Sequence, residues 1–190
     1  SQVFHVPFDD VTDLQRRNAK AVNFGIVYGQ QAYGLSQSLG ISFGEAKDMI
    51  DRYFATYPRV RTYLDETVEF ARKHGFAQTM FGRRRYIPEL AQRNPIRKQF
   101  GERTAMNHPM QGSAADIIKI AMRQVQERLV AEGLQARVML QVHDELDLSV
   151  PQAELSQVET LLKSVMENAA SLRVPLNVDV SHGSNWSEAH

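Results

Sequence analysis

The chain contains no cysteine, which excludes disulfides, thiolate zinc sites and a cysteine nucleophile together. It has no net charge, because 22 Lys and Arg offset 22 Asp and Glu. It lacks an apolar run near the ~18 residues that a membrane span needs, and no secretory pattern follows Ser1. No repeat, low-complexity tract or flexible linker interrupts it. What is present is 190 residues, 43% hydrophobic and 23% charged. These values are ordinary for a globular chain and leave room for one large domain or two small ones. The expectation is a cytoplasmic protein with no membrane partner.

Zero net charge argues against a polyanion partner, but the charges are not evenly spread. Residues 83–103 hold seven basic side chains (Arg83, Arg84, Arg85, Arg93, Arg97, Lys98, Arg103) against two acidic ones, Glu89 and Glu102. Residues 144–190 hold eight acidic side chains against two basic. This asymmetry suits a protein that holds a polyanion on one side and metal ions or solvent on the other. It equally suits two solvated faces of opposite charge.

Hydrophobic spacing predicts the elements. Gln2 to Leu14 reads as the end of one element and a connector, and a helix follows over about 15–28, closing at Gly29. Ser42 with Glu45 is a capping-box pattern, opening a helix on Ala46, Met49, Ile50, Tyr53, Phe54 and Tyr57 up to Pro58. Another helix is predicted from Arg59 to His74 with Gly75 as its left-handed stop, then a hairpin over 76–87 around Gly82. A basic helix over Pro95–Asn107 should end before Pro109, and Ser113, with Asp116 three residues on, should cap a second long helix ending at Gly133.

The period then changes from 3.6 to 2. Arg137 to Gln141 and Glu145 to Val150 read as strands joined tightly at His143-Asp144. A helix over Gln152–Ser171 follows, and the alternation of Leu176, Val178 and Val180 reads as a last strand. Helices packed on an antiparallel sheet after a helical part make the expected fold class α+β.

Arg16, Lys20, Phe24 and Tyr28 recur every fourth residue. On a helix they would form a stripe roughly 18 Å long. The order is two cations, then two aromatics before a glycine, and a nucleoside triphosphate has the same order of phosphates, sugar and base. A guanidinium and an ammonium neutralise phosphate oxygens, and aromatic faces pack on sugar and base. Gly25 and Gly29 would permit close approach. The same spacing also fits two core aromatics beneath an exposed basic turn.

Gln141-Val142-His143-Asp144-Glu145 places adjacent acids at a turn. Neighbouring carboxylates repel unless a cation sits nearby, and a hard divalent ion with oxygen ligands answers that need. A solvated charged turn is the alternative. Asp144 alone cannot hold two ions, so a partner carboxylate must come from elsewhere.

Residues 16–29, RRNAKAVNFGIVYG, resemble the fingers-helix motif of family A DNA polymerases, and the strand-turn-strand around Asp144 resembles that family's second palm carboxylate motif. The resemblance spans Gln2 to His190. It implies fingers over 1–95 and the carboxy-terminal part of the palm over 96–190. Carried over by position, it implies that Arg16 contacts the terminal phosphates and that Lys20 contacts the phosphate under attack and protonates the leaving group. Phe24 would pack on the incoming sugar, with discrimination against dideoxynucleotides, and Tyr28 would hold the template-base position in the open state.

It also implies that Asp144 binds magnesium, that Glu145 supports it, and that His143 touches the primer terminus. Residues 103–112 resemble the family's DNA-contacting segment, with Arg103 on template phosphate and Asn107 and Gln111 reading minor-groove acceptors that every well-shaped base pair offers. The Gly82–Tyr86 hairpin matches too, as either a structural turn or a DNA contact. Asp147 departs from the pattern, which has an apolar residue there; it shares the Glu145 face and reads as structural.

The first palm aspartate, the upstream triphosphate-binding histidine, the thumb and the exonuclease-like domain have no counterpart in the sequence. The expectation is therefore a cleaved piece, a shortened chain or one half of a split enzyme, inactive alone. Joined to its amino-terminal complement, it would extend a primer on template DNA from dNTPs with two magnesium ions. Two other readings compete: a non-catalytic nucleic-acid-binding module with a polymerase-like surface, and a metal-dependent nuclease built on His143, Asp144 and Glu145.

Overall fold

The computed structural model describes residues 6–189. The expectations on Gln2 to His5 and on His190 lie outside them. The chain divides into two compact units after Gly112.

In the first unit, α1 (Asp13–Val27) starts two residues earlier than the apolar spacing predicts. Thr12 accepts from the Gln15 N–H while the Gln15 side chain accepts from the Thr12 N–H, a reciprocal cap in place of a connector. A short helix α2 (Ala32–Leu39) follows; it has only two turns, too few to establish a period in the sequence. The Ser42–Glu45 capping box opens α3 (Phe43–Thr56) as expected. Its hydrogen bonds from Ser42 hold the Glu45 carboxyl below the usual carboxylate range. Helix α4 (Pro58–His74) ends at Gly75 with φ 77°.

The hairpin of β1 (Phe76–Gln78) and β2 (Arg84–Tyr86) then pairs antiparallel. Val22, Ile26, Leu35, Ala46, Met49 and Tyr53 form one core beneath α1–α3. Ala71, Ala77, Ile87, Leu90 and Ala105 form a second beneath the hairpin.

One expectation fails at Pro109. The basic helix does not end there, and Ser113 does not cap a new one: α5 runs unbroken from Pro95 to Ala131 with Pro109 inside it. Proline cannot donate to the Ala105 carbonyl and costs a helix about 3 kcal/mol. Burial on both sides offsets that cost, with Ala105 and His108 before the proline and Ile118, Ala121, Val125 and Leu129 after it all buried. Ser113 and Asp116 are themselves buried within the helix.

In the second unit, β3 (Arg137–Val142) and β4 (Glu145–Ser149) form a two-stranded antiparallel sheet with an irregularity between Val138 and Leu140. The Glu154 carboxylate staples the start of β3 by accepting from the Gln135 and Ala136 N–H groups. Helix α6 (Leu155–Glu167) is shorter than predicted. A 3-10 turn occupies Gln152–Glu154, and Asn168 closes the other end by donating its side-chain amide to the Ser164 carbonyl. Val125, Leu129, Ala136, Val158, Leu161, Leu162 and Val165 make this unit's core.

The last predicted strand is also corrected. Leu176, Val178 and Val180 are half-buried between exposed neighbours, but no ladder forms there among the described residues. Val180 packs on the core, while the Val178 N–H donates to the Glu167 carboxylate instead of a strand. A period of two reports alternating faces and carries no information about a pairing partner. A four-residue helix α7 (Trp186–Ala189) ends the described chain. Helices with two small antiparallel sheets make the fold α+β, as expected.

Candidate functional site

Helix α1 separates its two faces cleanly. Val22, Gly25 and Ile26 are buried on one side, where the Tyr53 hydroxyl donates to Asn23 Oδ1 at 2.7 Å. Burial, and secondarily Tyr57, holds that hydroxyl above the usual phenol range. Arg16, Lys20 and Phe24 lie on the exposed side. Phe24 is 48% exposed, which removes the reading of it as a core residue. Lys20 Nζ stands 5.9 Å from the Phe24 ring centroid. Phe24 in turn stacks on half-buried Tyr28, with centroids 6.0 Å apart and planes 28° apart. From Lys20 the stripe is continuous, an ammonium and then two stacked rings, with exposed Arg16 one turn before it on α1.

Gly25 in α1 and Gly29 just past its end have a use the sequence did not show. The space beside Gly25 is filled from within the fold: a Cβ there would lie 2.3 Å from Gln30 Oε1. Gln30 wedges between Gly25 and Gly34, its amide donating to Ser38 Oγ at 3.0 Å. Gly25 thus admits a side chain of its own chain. Gly29 has φ 72°, and a Cβ would stand 2.4 Å from Met106 Cε and 3.3 Å from Arg103 Cγ. Gly29→Ala is expected to destabilise this unit by at least about 1–2 kcal/mol from the left-handed backbone alone. The lowered urea midpoint would report it.

That close approach brings the aromatic end of α1 against α5. Because α5 continues through Pro109, Arg103, Asn107 and Gln111 fall at i, i+4 and i+8 on one helix, a second stripe about 12 Å long. Arg103 and Asn107 are half-buried and Gln111 is exposed. Asn107 Oδ1 is buried with no hydrogen-bond partner, an uncommon state for a polar atom in a packed helix. His108, next along, is buried with its Nε2 3.4 Å from the Arg83 carbonyl.

In the second unit, His143 and Asp144 form a two-residue turn closed by the Val142–Glu145 pair. His143 is the only described non-glycine residue with positive φ, at 53°. Turns this tight demand such a conformation, usually from Gly, Asn or Asp. The Gln141 side chain donates to the His143 carbonyl at 2.6 Å. Leu146 and Leu148 face the helical core. The opposite face carries Glu145, Val142, Leu140 and Asp147 by strand parity. Leu140 is 61% exposed there, and Asp147 Oδ2 is buried without a partner.

Asp144 is exposed at the tip, with half-buried Glu145 beside it. Two carboxylates are the hard oxygen donors that magnesium takes. Among the described residues no group of three or more His, Asp or Glu side chains could hold a metal ion. Asp144 and Glu145 thus fit part of a donor set. No described helix is long and apolar enough to cross a membrane.

Comparison with known proteins extends over nearly the whole chain. The profile of the family described as DNA polymerase family A matches residues 1–188. DNA polymerase I of Geobacillus stearothermophilus is 52% identical over 187 residues, covering 98% of this chain and 21% of that protein. DNA polymerase I of Pseudomonas aeruginosa is 50% identical over 190 residues, covering 100% and 21%. The chain thus spans about a fifth of the relatives it matches. Among solved structures, the POL domain of Pol1 from M. smegmatis, in complex with DNA primer-template and dNTP, superposes with a TM-score of 0.95. It is 47% identical, over 100% of this chain and 33% of that one.

Proposed function

Since the chain belongs to DNA polymerase family A, we propose that it is the nucleotide-selecting and metal-binding part of a DNA-directed DNA polymerase. It works within a longer polymerase on primer–template DNA, in the cytoplasm, in replication and repair, and it does not catalyse alone. Residues 1–95 serve as fingers and 96–190 as part of the palm. The order of Arg16, Lys20 and Phe24, exposed on α1, with half-buried Tyr28 capping its end, carries this reading, since it follows the order of phosphates, sugar and base in a triphosphate.

Arg16 binds the terminal phosphates. Lys20 neutralises the phosphoryl group in transfer and holds a proton for the pyrophosphate oxygen. Phe24 packs on the sugar and Tyr28 on the template side. Arg103 holds template phosphate, and Asn107 and Gln111 test base-pair shape from the minor groove. His143 steadies the primer end.

Asp144 would hold magnesium with Glu145 in support and with the first palm aspartate supplied by the amino-terminal part of the polymerase. Two bound magnesium ions supply activation of the primer hydroxyl and charge stabilisation of the leaving pyrophosphate. The test is a chimera in which this chain replaces the matched fifth of the Geobacillus relative. Primer extension that depends on template, dNTPs and magnesium, with discrimination against dideoxynucleotides through Phe24, supports the reading. A chimera that folds and binds primer–template without extending it overturns the reading in favour of a binding module.

A further inference from the structure

We propose that Gln141 is a positioning residue for Asp144, an inference that rests on the polymerase reading above. The turn that carries Asp144 has only two residues, and its first, His143, has φ 53°. A non-glycine residue there is strained and persists only where its surroundings over-determine it. One constraint is the closing pair Val142–Glu145. The other is the Gln141 amide, which donates to the His143 carbonyl at 2.6 Å.

That bond fixes the plane of the peptide between His143 and Asp144, and so the direction in which the Asp144 side chain leaves the backbone. Gln141 itself is exposed, pairs across the ladder with Leu146, and belongs to none of the core clusters. Its amide therefore aims the turn and contributes little to packing. Without it only the closing Val142–Glu145 pair restrains the turn, the His143 peptide gains rotational freedom, and the Asp144 carboxylate samples orientations that do not hold the ion. The loss falls on metal affinity before it falls on DNA binding.

The experiment compares the complete polymerase carrying this chain with its Gln141→Met variant, which keeps the length and removes the donor. Half-maximal magnesium for extension should rise about tenfold, the lower end of what losing an outer hydrogen bond costs a metal site. Turnover at saturating magnesium and primer–template affinity should stay within about twofold of the parent, a small effect next to that tenfold shift.

A readout independent of activity is manganese affinity by electron paramagnetic resonance, in the ternary complex with a non-hydrolysable dNTP. It should weaken by the same factor while the melting temperature holds. Overlapping magnesium curves, or a fall in turnover that follows melting temperature with unchanged metal affinity, would overturn the positioning role. If the parent itself fails to extend a primer, the polymerase reading fails instead.

Discussion

Lys20→Ala is expected to lower turnover by roughly a thousandfold while primer–template affinity moves by less than a few-fold, because a fixed cation aimed at developing charge contributes mainly to the transition state. Lys20 is exposed on α1 and approaches the Phe24 ring. The core under α1 is made by Val22 and Ile26 on the other face. Removing the side chain therefore leaves the helix and its packing intact, and the melting temperature should not change. A lysine that merely attracted DNA would behave differently: affinity would drop, salt dependence would flatten, and turnover of the bound complex would persist. Single-turnover kinetics separate the two, because the defect belongs in the chemical step at saturating dNTP.

Asp144→Ala is expected to have the larger effect. It should abolish extension to at least about four orders of magnitude below the parent, a loss of roughly 5–6 kcal/mol of the stabilisation that a held ion supplies. The variant should fold, since Asp144 is exposed in the turn and the ladder closes through Val142 and Glu145. Asp144→Glu should recover part of the rate, because a longer carboxylate still offers oxygen but shifts it. Primer extension at fixed DNA occupancy checks both. Full activity in Asp144→Ala would remove the metal assignment.

Much of this was legible in the sequence because it is local. A capping box, a helical period and a glycine stop are set by neighbours within four residues, so α3 and α4 were predicted to within a residue or three. The exposed α1 stripe followed from spacing, but only packing decided which face it showed. What failed was decided by distant contacts. Pro109 reads locally as a stop, yet buried residues on both sides carry α5 through it. That continuity places Gln111 in line with Arg103 and Asn107, an arrangement the broken helices would not have given.

Leu176 to Val180 alternates like a strand and finds no ladder among the described residues. Gln30 has no motif; two glycines at 25 and 34 flank it, and only their close approach shows its wedge. The Gln141 brace depends on a side-chain orientation that no letter pattern encodes.

The most direct measurement is nucleotide protection of lysines in the complete polymerase, probed with an amine-reactive aldehyde and borohydride. With primer–template and magnesium present, dNTP should shield Lys20 strongly and leave exposed Lys47, paired with Asp51 on α3, labelled as before. Equal labelling of Lys20 with and without dNTP would contradict the account.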